Sequence, residues 1–298
     1  MMMHRVSLGP VDVSCLVYGM WRLGDDADTT LRHVQAKIEA CLAIGISTMD
    51  QADIYGGYTA EVILGTALRA APGLRDRIEI VTKCDIVAPV GRHATARVKH
   101  YDTSAAHITA SLEASLRDMA TDRVDLLLIH RPDPLMNHHD TGRTLDALVA
   151  SGKVRAVGVS NFRPWDFTLL QSAMTTPLVT NQIELSLHCR APLTNGDLAF
   201  LQERGVAPMA WSPLAGGTLL SDASAALRAR MTEIGMSADA DWSAVAIAWL
   251  LHHPARIIPV LGTNTLSRIS GIADALRVPM DRQTWFELYS LAQGHEVP

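Results

Sequence analysis

The chain has 298 residues, of which 48% are hydrophobic and 19% charged, so it can bury a large core and lacks the composition of a disordered protein. Its formal net charge of −5 gives no basic excess for binding nucleic acid or an anionic membrane. The cysteines are far apart, without a CxxC motif or a zinc-ligand spacing, and they are Cys15, Cys41, Cys84 and Cys189. We therefore expect no metal site.

The first ten residues lack the apolar stretch and the cleavage site of a signal peptide. The longest apolar-rich run, Trp242–Leu251, is shorter than the ~20 residues that a membrane-spanning helix needs. Free, scattered cysteines are typical of a reducing compartment. We therefore expect a cytoplasmic protein without a membrane partner.

Short aliphatic runs alternate with longer amphipathic stretches along the chain. A small hairpin is predicted first, around Gly9-Pro10. Eight nearly continuous apolar runs follow, typical of parallel strands buried on both faces. These predicted strands are Leu16–Tyr18, Ile46–Asp50, Ile78–Lys83, Val124–His130, Val154–Ser160, Val179–Ile183, Val206–Trp211 and Ile257–Leu261.

The stretches between these strands have helical patterns. They lie near residues 29–44, 58–71, 103–120, 140–150, 164–174, 193–204, 241–252 and 266–276. Eight strands with eight helices favour an α/β fold with a single (β/α)8 TIM barrel, and a doubly wound sheet is the alternative. We expect one domain over residues 1–298, with the N-terminal β-hairpin and an extra C-terminal helix at Asp281–Leu291.

Several predicted strands end in a polar or ionisable residue. All strand C-termini of a parallel barrel lie on one face, where active sites are built. A strand end that meets solvent explains any single case, but an acid, an ammonium and an imidazole together favour a catalytic site. The residues at these ends are Asp50, Lys83, His130, Ser160, Asn161 and Gln182, with Tyr55 in the loop after the second barrel strand.

Seven stretches, in the same order along the chain, resemble the aldo-keto reductase family, and most closely its bacterial oxidoreductases. They are Gly45–Gly56, Ile80–Lys83, Asp125–Asp133, Gly158–Phe162, Asn181-Gln182, Trp211–Leu214, and Ile258-Pro259 with Gly262-Thr263 and Arg268. The resemblance covers nearly the whole chain. It implies an enzyme that reduces an aldehyde or ketone to an alcohol with NADPH.

The resemblance implies a catalytic tetrad of Asp50, Tyr55, Lys83 and His130. Tyr55 would act as the general acid, and the ammonium of Lys83 is expected to lower its pKa. Asp50 would keep Lys83 charged and in place. His130 would donate a hydrogen bond to the carbonyl oxygen, which requires one tautomer.

The cofactor shell is implied in the same way. Ser160, Asn161 and Gln182 would hydrogen-bond the nicotinamide carboxamide, and Trp211 would stack on the ring. The full set of expected cofactor contacts is Met20, Trp21, Ser160, Asn161, Gln182, Trp211, Ser212, Leu214, Gly216, Gly262, Thr263 and Arg268. Trp21, Tyr58 and Phe162 are expected to form walls of the substrate pocket.

Two features depart from the family pattern. Gly262 stands where many relatives have a lysine for the 2′-phosphate of NADPH, which leaves Arg268 and Thr263 for that task. The segment Asp85–Asp102 is long for a connection between a strand and a helix, and either a lid or a solvated loop would explain its length.

Two other functions remain open at this stage. One is a cofactor-binding regulatory subunit with vestigial activity, and the other is an NAD-dependent sugar or polyol dehydrogenase. The complete tetrad favours the enzyme that reduces small-molecule carbonyl compounds. The sequence predicts neither the substrate nor the oligomeric state.

Overall fold

The computed structural model describes residues 3–298 and has twelve strands. In chain order they are Arg5–Leu8 (β1), Val11–Ser14 (β2), Val17–Gly19 (β3), Thr48–Asp50 (β4), Glu79–Cys84 (β5), Ile86–Val87 (β6), His100–Tyr101 (β7), Val124–Ile129 (β8), Val154–Ser160 (β9), Leu178–Glu184 (β10), Met209–Trp211 (β11) and Ile258–Leu261 (β12). β1 and β2 pair antiparallel, as do β6 and β7. The other eight strands form a closed parallel barrel.

The barrel closes because β12 pairs with β3, with Val260 opposite Val17. This closure confirms the predicted TIM barrel and excludes the doubly wound sheet, which has two open edges. The observed strands match the eight predicted runs. β4 and β11 are shorter than predicted because their first residues connect the preceding helix to the barrel instead of pairing.

Helices surround the barrel. They are Leu31–Ala43 (α1), Tyr55–Tyr58 (α2), Ala60–Ala70 (α3), Ala105–Asp118 (α4), His138–Ala150 (α5), Pro164–Gln171 (α6), Asp197–Glu203 (α7), Leu219–Asp222 (α8), Ala225–Ser237 (α9), Trp242–Leu251 (α10), Leu266–Gly271 (α11) and Arg282–Gln293 (α12). The sequence reading missed α9, whose apolar contacts are spread thinly over Leu227, Met231 and Ile234. It also made α11 too long, since the chain tightens into a 3-10 helix from Ile272.

The N-terminal end of the barrel is covered by the β1–β2 hairpin, as predicted. Every second side chain of β1 is buried, and so are Val11 and Val13 of β2, as expected for strands with one face on a core. Arg5 ties the hairpin to the barrel through the carboxylate of Glu79, at 2.7 Å.

A buried carboxylate organises the same end. One oxygen of Asp125 accepts hydrogen bonds from the guanidinium of Arg75 and the backbone N–H of Ile80, both at 2.9 Å. Its other oxygen accepts from Arg155 at 3.1 Å. The charge is therefore fully compensated, which a buried carboxylate requires.

The predicted C-terminal helix is α12, which packs on α10 through two indoles. The Trp249 and Trp285 rings are stacked with centroids 4.8 Å apart. Each indole N–H donates to the backbone carbonyl of the other residue, at 3.1 and 3.0 Å. α12 is therefore held by a reciprocal polar contact as well as by apolar burial.

The long segment after β5 forms a small flap, defined here as residues 85–102. It contains the β6–β7 pair and one turn of 3-10 helix at Gly91–His93. The hydroxyl of Tyr58 donates to the carbonyl of Ile86 at 3.0 Å and accepts from the N–H of Ala88 at 2.9 Å. The flap thus has structure of its own and is fastened to α2.

Across residues 3–298, no helix combines the length and the apolar character that crossing a membrane requires.

Candidate active site

The ends of β4 and β5 bring three ionisable side chains together. The buried ammonium of Lys83 donates to a carboxylate oxygen of Asp50 at 2.8 Å and to the hydroxyl of Tyr55 at 3.1 Å. It also donates to the backbone carbonyl of Gln51 at 2.8 Å, a contact that the sequence reading missed. The three hydrogens of the ammonium therefore have one acceptor each.

The charge of Lys83 is stabilised by this arrangement. Burial lowers the pKa of Lys83, but the carboxylate of Asp50 and the hydroxyl of Tyr55 outweigh it and raise this pKa above its ordinary value. Lys83 is therefore a permanent cation next to the phenol at neutral pH.

Lys83 lowers the pKa of Tyr55, as predicted, but burial outweighs this contribution. Burial raises it, the charge of Lys83 lowers it, and the charge of Asp50 raises it again, so the net pKa lies above the ordinary value for tyrosine. The prediction counted the ammonium and omitted burial. Tyr55 therefore keeps its proton at neutral pH, as a proton donor must.

His130 follows β8 and faces Tyr55, with ring centroids 6.1 Å apart in an edge-to-face arrangement. Burial lowers the pKa of His130 well below its ordinary value, and the charges of Lys83, Arg131 and Lys99 lower it further. The imidazole is therefore neutral. Its buried Nδ1 has no hydrogen-bond partner among the described residues, so no protein contact fixes the tautomer.

A second group of polar side chains lies at the ends of β9 and β10. Asn161 donates from Nδ2 to the hydroxyl of Ser160 at 2.8 Å, and the indole N–H of Trp211 donates to Asn161 Oδ1 at 2.9 Å. Asn161 adopts a left-handed backbone with φ of 61°. Strained backbone of this kind is concentrated at functional sites.

Gln182 connects this second group to the first. Its Nε2 donates at 2.8 Å to the carboxylate oxygen of Asp50 that Lys83 leaves free. The Ser160 hydroxyl in turn donates to the Gln182 backbone carbonyl at 2.9 Å. A series of hydrogen bonds, linked through the backbone and side chain of Gln182, therefore joins Trp211 to Tyr55.

The loop after β11 carries the next predicted residues. Ser212 has a φ of 49°, and Gly216 has a φ of 67° with nothing within 4 Å of the position that a Cβ would occupy. Leu214 packs partly buried beside them. Arg22 donates to the Gly216 carbonyl at 2.5 Å, which joins this loop to the loop after β3.

The loop after β12 holds Gly262, Thr263 and Arg268. A Cβ on Gly262 would lie 3.2 Å from the carbonyl oxygen of Gly19, so a side chain there would need a small shift of the backbone of β3. Arg268 is exposed on α11, and its guanidinium donates to no other residue between 3 and 298.

The predicted pocket walls lie in different environments. Phe162 is 1% exposed, as is Met20, an expected cofactor contact, whereas Trp21 is 56% exposed with the guanidinium of Arg22 over its ring. Tyr58 is buried and its hydroxyl is used by the flap. Tyr58 and Phe162 are buried, so they can support the residues that line the cleft without lining it themselves. Trp21 is exposed and stands at the rim of the cleft.

Sequence reasoning missed Arg131. Its guanidinium lies 5.9 Å from the centroid of the Trp211 ring and has no side-chain acceptor in the described part of the chain. Its backbone N–H donates to Asp85 at 3.0 Å, which fixes the turn after His130. Its place directly after His130 at a strand end could have identified it.

No cluster of three or more His, Cys, Asp or Glu side chains suited to holding a metal ion occurs within residues 3–298. The chemistry available at this end of the barrel is that of a phenol, an ammonium, a carboxylate and a neutral imidazole.

Comparisons with known proteins give one family model and several similar proteins. The family model described as "Aldo/keto reductase family" matches residues 15–293. A 6-dehydroglucose reductase of Agrobacterium fabrum is 70% identical over 99% of this chain and 100% of its own length. The oxidoreductase YdhF of Escherichia coli is 42% identical over the whole of both chains. An aldo-keto reductase from Klebsiella pneumoniae, solved in complex with NADPH, is 25% identical, with a TM-score of 0.81 over 100% of this chain and 97% of its own.

Proposed function

Because this chain belongs to the aldo/keto reductase family of NAD(P)H-dependent oxidoreductases, we propose that it reduces an aldehyde or ketone to an alcohol with NADPH and with Tyr55 as general acid. The observation that carries the proposal is the contact of the Lys83 ammonium with both Tyr55 and Asp50. It gives a protonated phenol a fixed position beside a neutral imidazole.

The residues present fit a nicotinamide dinucleotide. Trp211 offers a partly exposed flat ring, and Ser160, Asn161 and Gln182 are amide and hydroxyl groups already held in one orientation. The open space at Gly216 allows a phosphate to approach the backbone. The cofactor, when bound, supplies a hydride to the carbonyl carbon.

The side chains of the tetrad supply the rest of the reaction. Tyr55 gives its hydroxyl proton to the carbonyl oxygen as that oxygen gains negative charge, so that one hydride and one proton complete the alcohol. The ammonium of Lys83 stabilises the resulting phenolate, and Asp50 holds that ammonium. Neutral His130 donates a hydrogen bond to the same oxygen in the transition state.

For the substrate, we propose a polyhydroxylated aldehyde. The 70% identical relative is named for 6-dehydroglucose, a hexose oxidised at carbon 6. The free guanidinium of Arg131 beside Trp211 is suited to donating hydrogen bonds to hydroxyl groups on such a compound. 6-Dehydroglucose is therefore the first substrate to test.

For the cofactor, we assign the 2′-phosphate to Arg268, helped by Thr263. A guanidinium that makes no other contact is available for a phosphate, and a charge-assisted hydrogen bond contributes ~1.5–3 kcal/mol. Gly262 brings no second cation, so the preference for NADPH is expected to be moderate. The same glycine favours the second candidate function, an NAD-dependent sugar dehydrogenase.

The test is a panel of aldehydes, sugar aldehydes and ketones, each assayed with NADPH and NADH. The largest kcat/KM is expected for 6-dehydroglucose with NADPH. Arg268→Ala should weaken NADPH binding by roughly 10–150-fold and leave NADH binding nearly unchanged, with the exposed Arg143→Ala as control. Tighter binding of NADH than NADPH by the natural protein would favour the dehydrogenase. Absence of turnover with every aldehyde would favour a regulatory subunit.

A further inference from the structure

A lysine lies buried in the helical layer, beside the loop that follows β12. Lys37 of α1 has no exposed side-chain surface. Its ammonium pairs with the carboxylate of Asp26, in the loop after β3, and donates to Oδ1 of Asn264 at 3.2 Å. A buried ammonium needs such partners, because the protein interior solvates an unpaired charge far less well than water does.

Asn264 is fixed at both ends. While its Oδ1 accepts from Lys37, its Nδ2 donates to the backbone carbonyl of Arg22 at 2.8 Å. The buried hydroxyl of Tyr18 donates to the carbonyl of the preceding residue, Thr263, at 2.8 Å. The inner side of the loop 262–265 is therefore hydrogen-bonded to β3, to the loop after β3 and to α1.

These contacts leave the outer side of the loop for a ligand. Arg268 is exposed and makes no contact with another side chain of the described chain, and Gly262 offers no cation. The position of Arg268 relative to the cleft therefore depends on how firmly the loop before it is held.

We propose that Lys37 is a positioning residue for the 2′-phosphate of the cofactor, acting through Asn264 and the loop 262–265. The inference rests on the proposed function, in which this loop and Arg268 bind NADPH. Lys37 itself does not touch the cofactor. Its hydrogen bond to Asn264, made by an ammonium that Asp26 neutralises, holds the loop that does, and so compensates for the missing side chain at position 262.

The test measures binding and turnover separately. Asn264→Ala cuts the side-chain bonds of the loop to Lys37 and to Arg22 and keeps the Lys37–Asp26 pair, so the fold is preserved. The double variant Lys37→Met with Asp26→Asn removes both charges of the pair, and His33, which also lies beside Asp26, keeps Asp28 as a neighbouring carboxylate. Glu39→Gln, in the same helix, breaks an exposed ion pair with Arg77 and serves as the matched control. The probes are 2′,5′-ADP, NADPH and NADH, with dissociation constants from titration calorimetry.

Both test variants should weaken binding of 2′,5′-ADP and NADPH about tenfold, the size of one lost charge-assisted hydrogen bond. Binding of NADH should change less than about twofold, because NADH lacks the 2′-phosphate, and kcat at saturating NADPH should stay the same. A merely structural role would weaken all three probes equally.

Equal losses for NADH and NADPH, or unchanged binding of 2′,5′-ADP in Asn264→Ala, would overturn the proposal while leaving the proposed function intact. Failure of the natural protein to bind 2′,5′-ADP would overturn both, so the two failures are distinguishable.

Discussion

The two ends of the barrel treat buried polar groups in opposite ways. At the N-terminal end, Asp125 and Glu79 have hydrogen-bond partners on both of their carboxylate oxygens. The buried side-chain atoms that lack a partner within residues 3–298 lie mostly near the C-terminal end, in the loops after the strands or the first turns of helices, with Asn181 inside β10. They belong to Gln51, Asp53, Glu61, Asp85, His107, His130, Asn181 and Asp197.

Backbone strain has the same distribution. Non-glycine residues with positive φ at the C-terminal end include Asp85, Asn161 and Ser212, each directly after or at the end of a barrel strand. Those elsewhere, such as Ala120 and Asp239, are ordinary helix-terminating turns. The N-terminal end, where the buried carboxylates have hydrogen-bond partners, therefore provides stability. The C-terminal end, with unpaired buried polar atoms and strained backbone, carries the chemistry.

The largest effect is expected from removing a buried carboxylate at the N-terminal end of the barrel. Asp125→Ala removes the side-chain acceptor of the Ile80 N–H and leaves the partly buried Arg75 guanidinium without a carboxylate, and should lower the free energy of unfolding by about 3–5 kcal/mol. Urea denaturation measures it. At 20 °C the kcat should be unchanged, since the site lies at the other end. A large loss of kcat in the folded variant would contradict the division between the two ends.

The next effect comes from the reactive end. Tyr55→Phe removes the proton donor and leaves Lys83 its two other acceptors, Asp50 and the Gln51 carbonyl, so kcat for carbonyl reduction should fall at least ~10²-fold. The melting temperature and the dissociation constant for NADPH should change little. Stopped-flow measurement of the hydride step checks the result, and a near-normal rate with chemistry rate-limiting would remove Tyr55 from the role of acid.

A pH effect on stability should also arise at the reactive end. Burial raises the pKa of Glu61 from 4.5 to about 7, and the nearby Asp53 charge adds to the rise. The folded state thus binds more protons than the unfolded state between these values, and its stability should decrease as pH rises through them. Glu61→Gln keeps an acceptor for the Thr82 hydroxyl and removes the charge.

The stability of Glu61→Gln relative to the natural protein should therefore increase from pH 5 to pH 8, by on the order of 2 kcal/mol. Guanidinium denaturation at both pH values gives the difference. A constant offset between the two proteins would mean that Glu61 is ionised in the folded state throughout.

The smallest effect is spectroscopic. Trp211 is expected to stack on the nicotinamide, so NADPH should quench tryptophan fluorescence and Trp211→Ala should remove a clear share of that quench. Trp165→Ala, at an exposed indole on α6, is the matched control. The same quench in both variants would argue against the stacking role.

Strand ends were the part of the site that the sequence could predict. A parallel barrel places Asp50, Lys83 and His130 on one face whatever the loops do, so position along the chain sufficed. The pKa of Tyr55 could not be predicted, because it depends on the balance of burial against the Lys83 charge.

The geometry of the loops could not be predicted from the sequence either. The flap hairpin and the engagement of Tyr58 by Ile86 depend on backbone contacts that composition does not encode. The bond from Gln182 to Asp50 joins residues 132 positions apart, and the buried Lys37 looks like any lysine of an amphipathic helix. Such contacts are decided by tertiary packing and not by local pattern.

The paired indoles of Trp249 and Trp285 also have an optical consequence. Two chromophores 4.8 Å apart, with ring planes 10° from parallel, exchange excitation much faster than they emit, so they behave as one emitter. That emitter sits on the outer wall, between α10 and α12, and reports the docking of the last helix. Tryptophan fluorescence can therefore report two separate events. The Trp249–Trp285 pair reports unfolding, and Trp211 reports ligand binding.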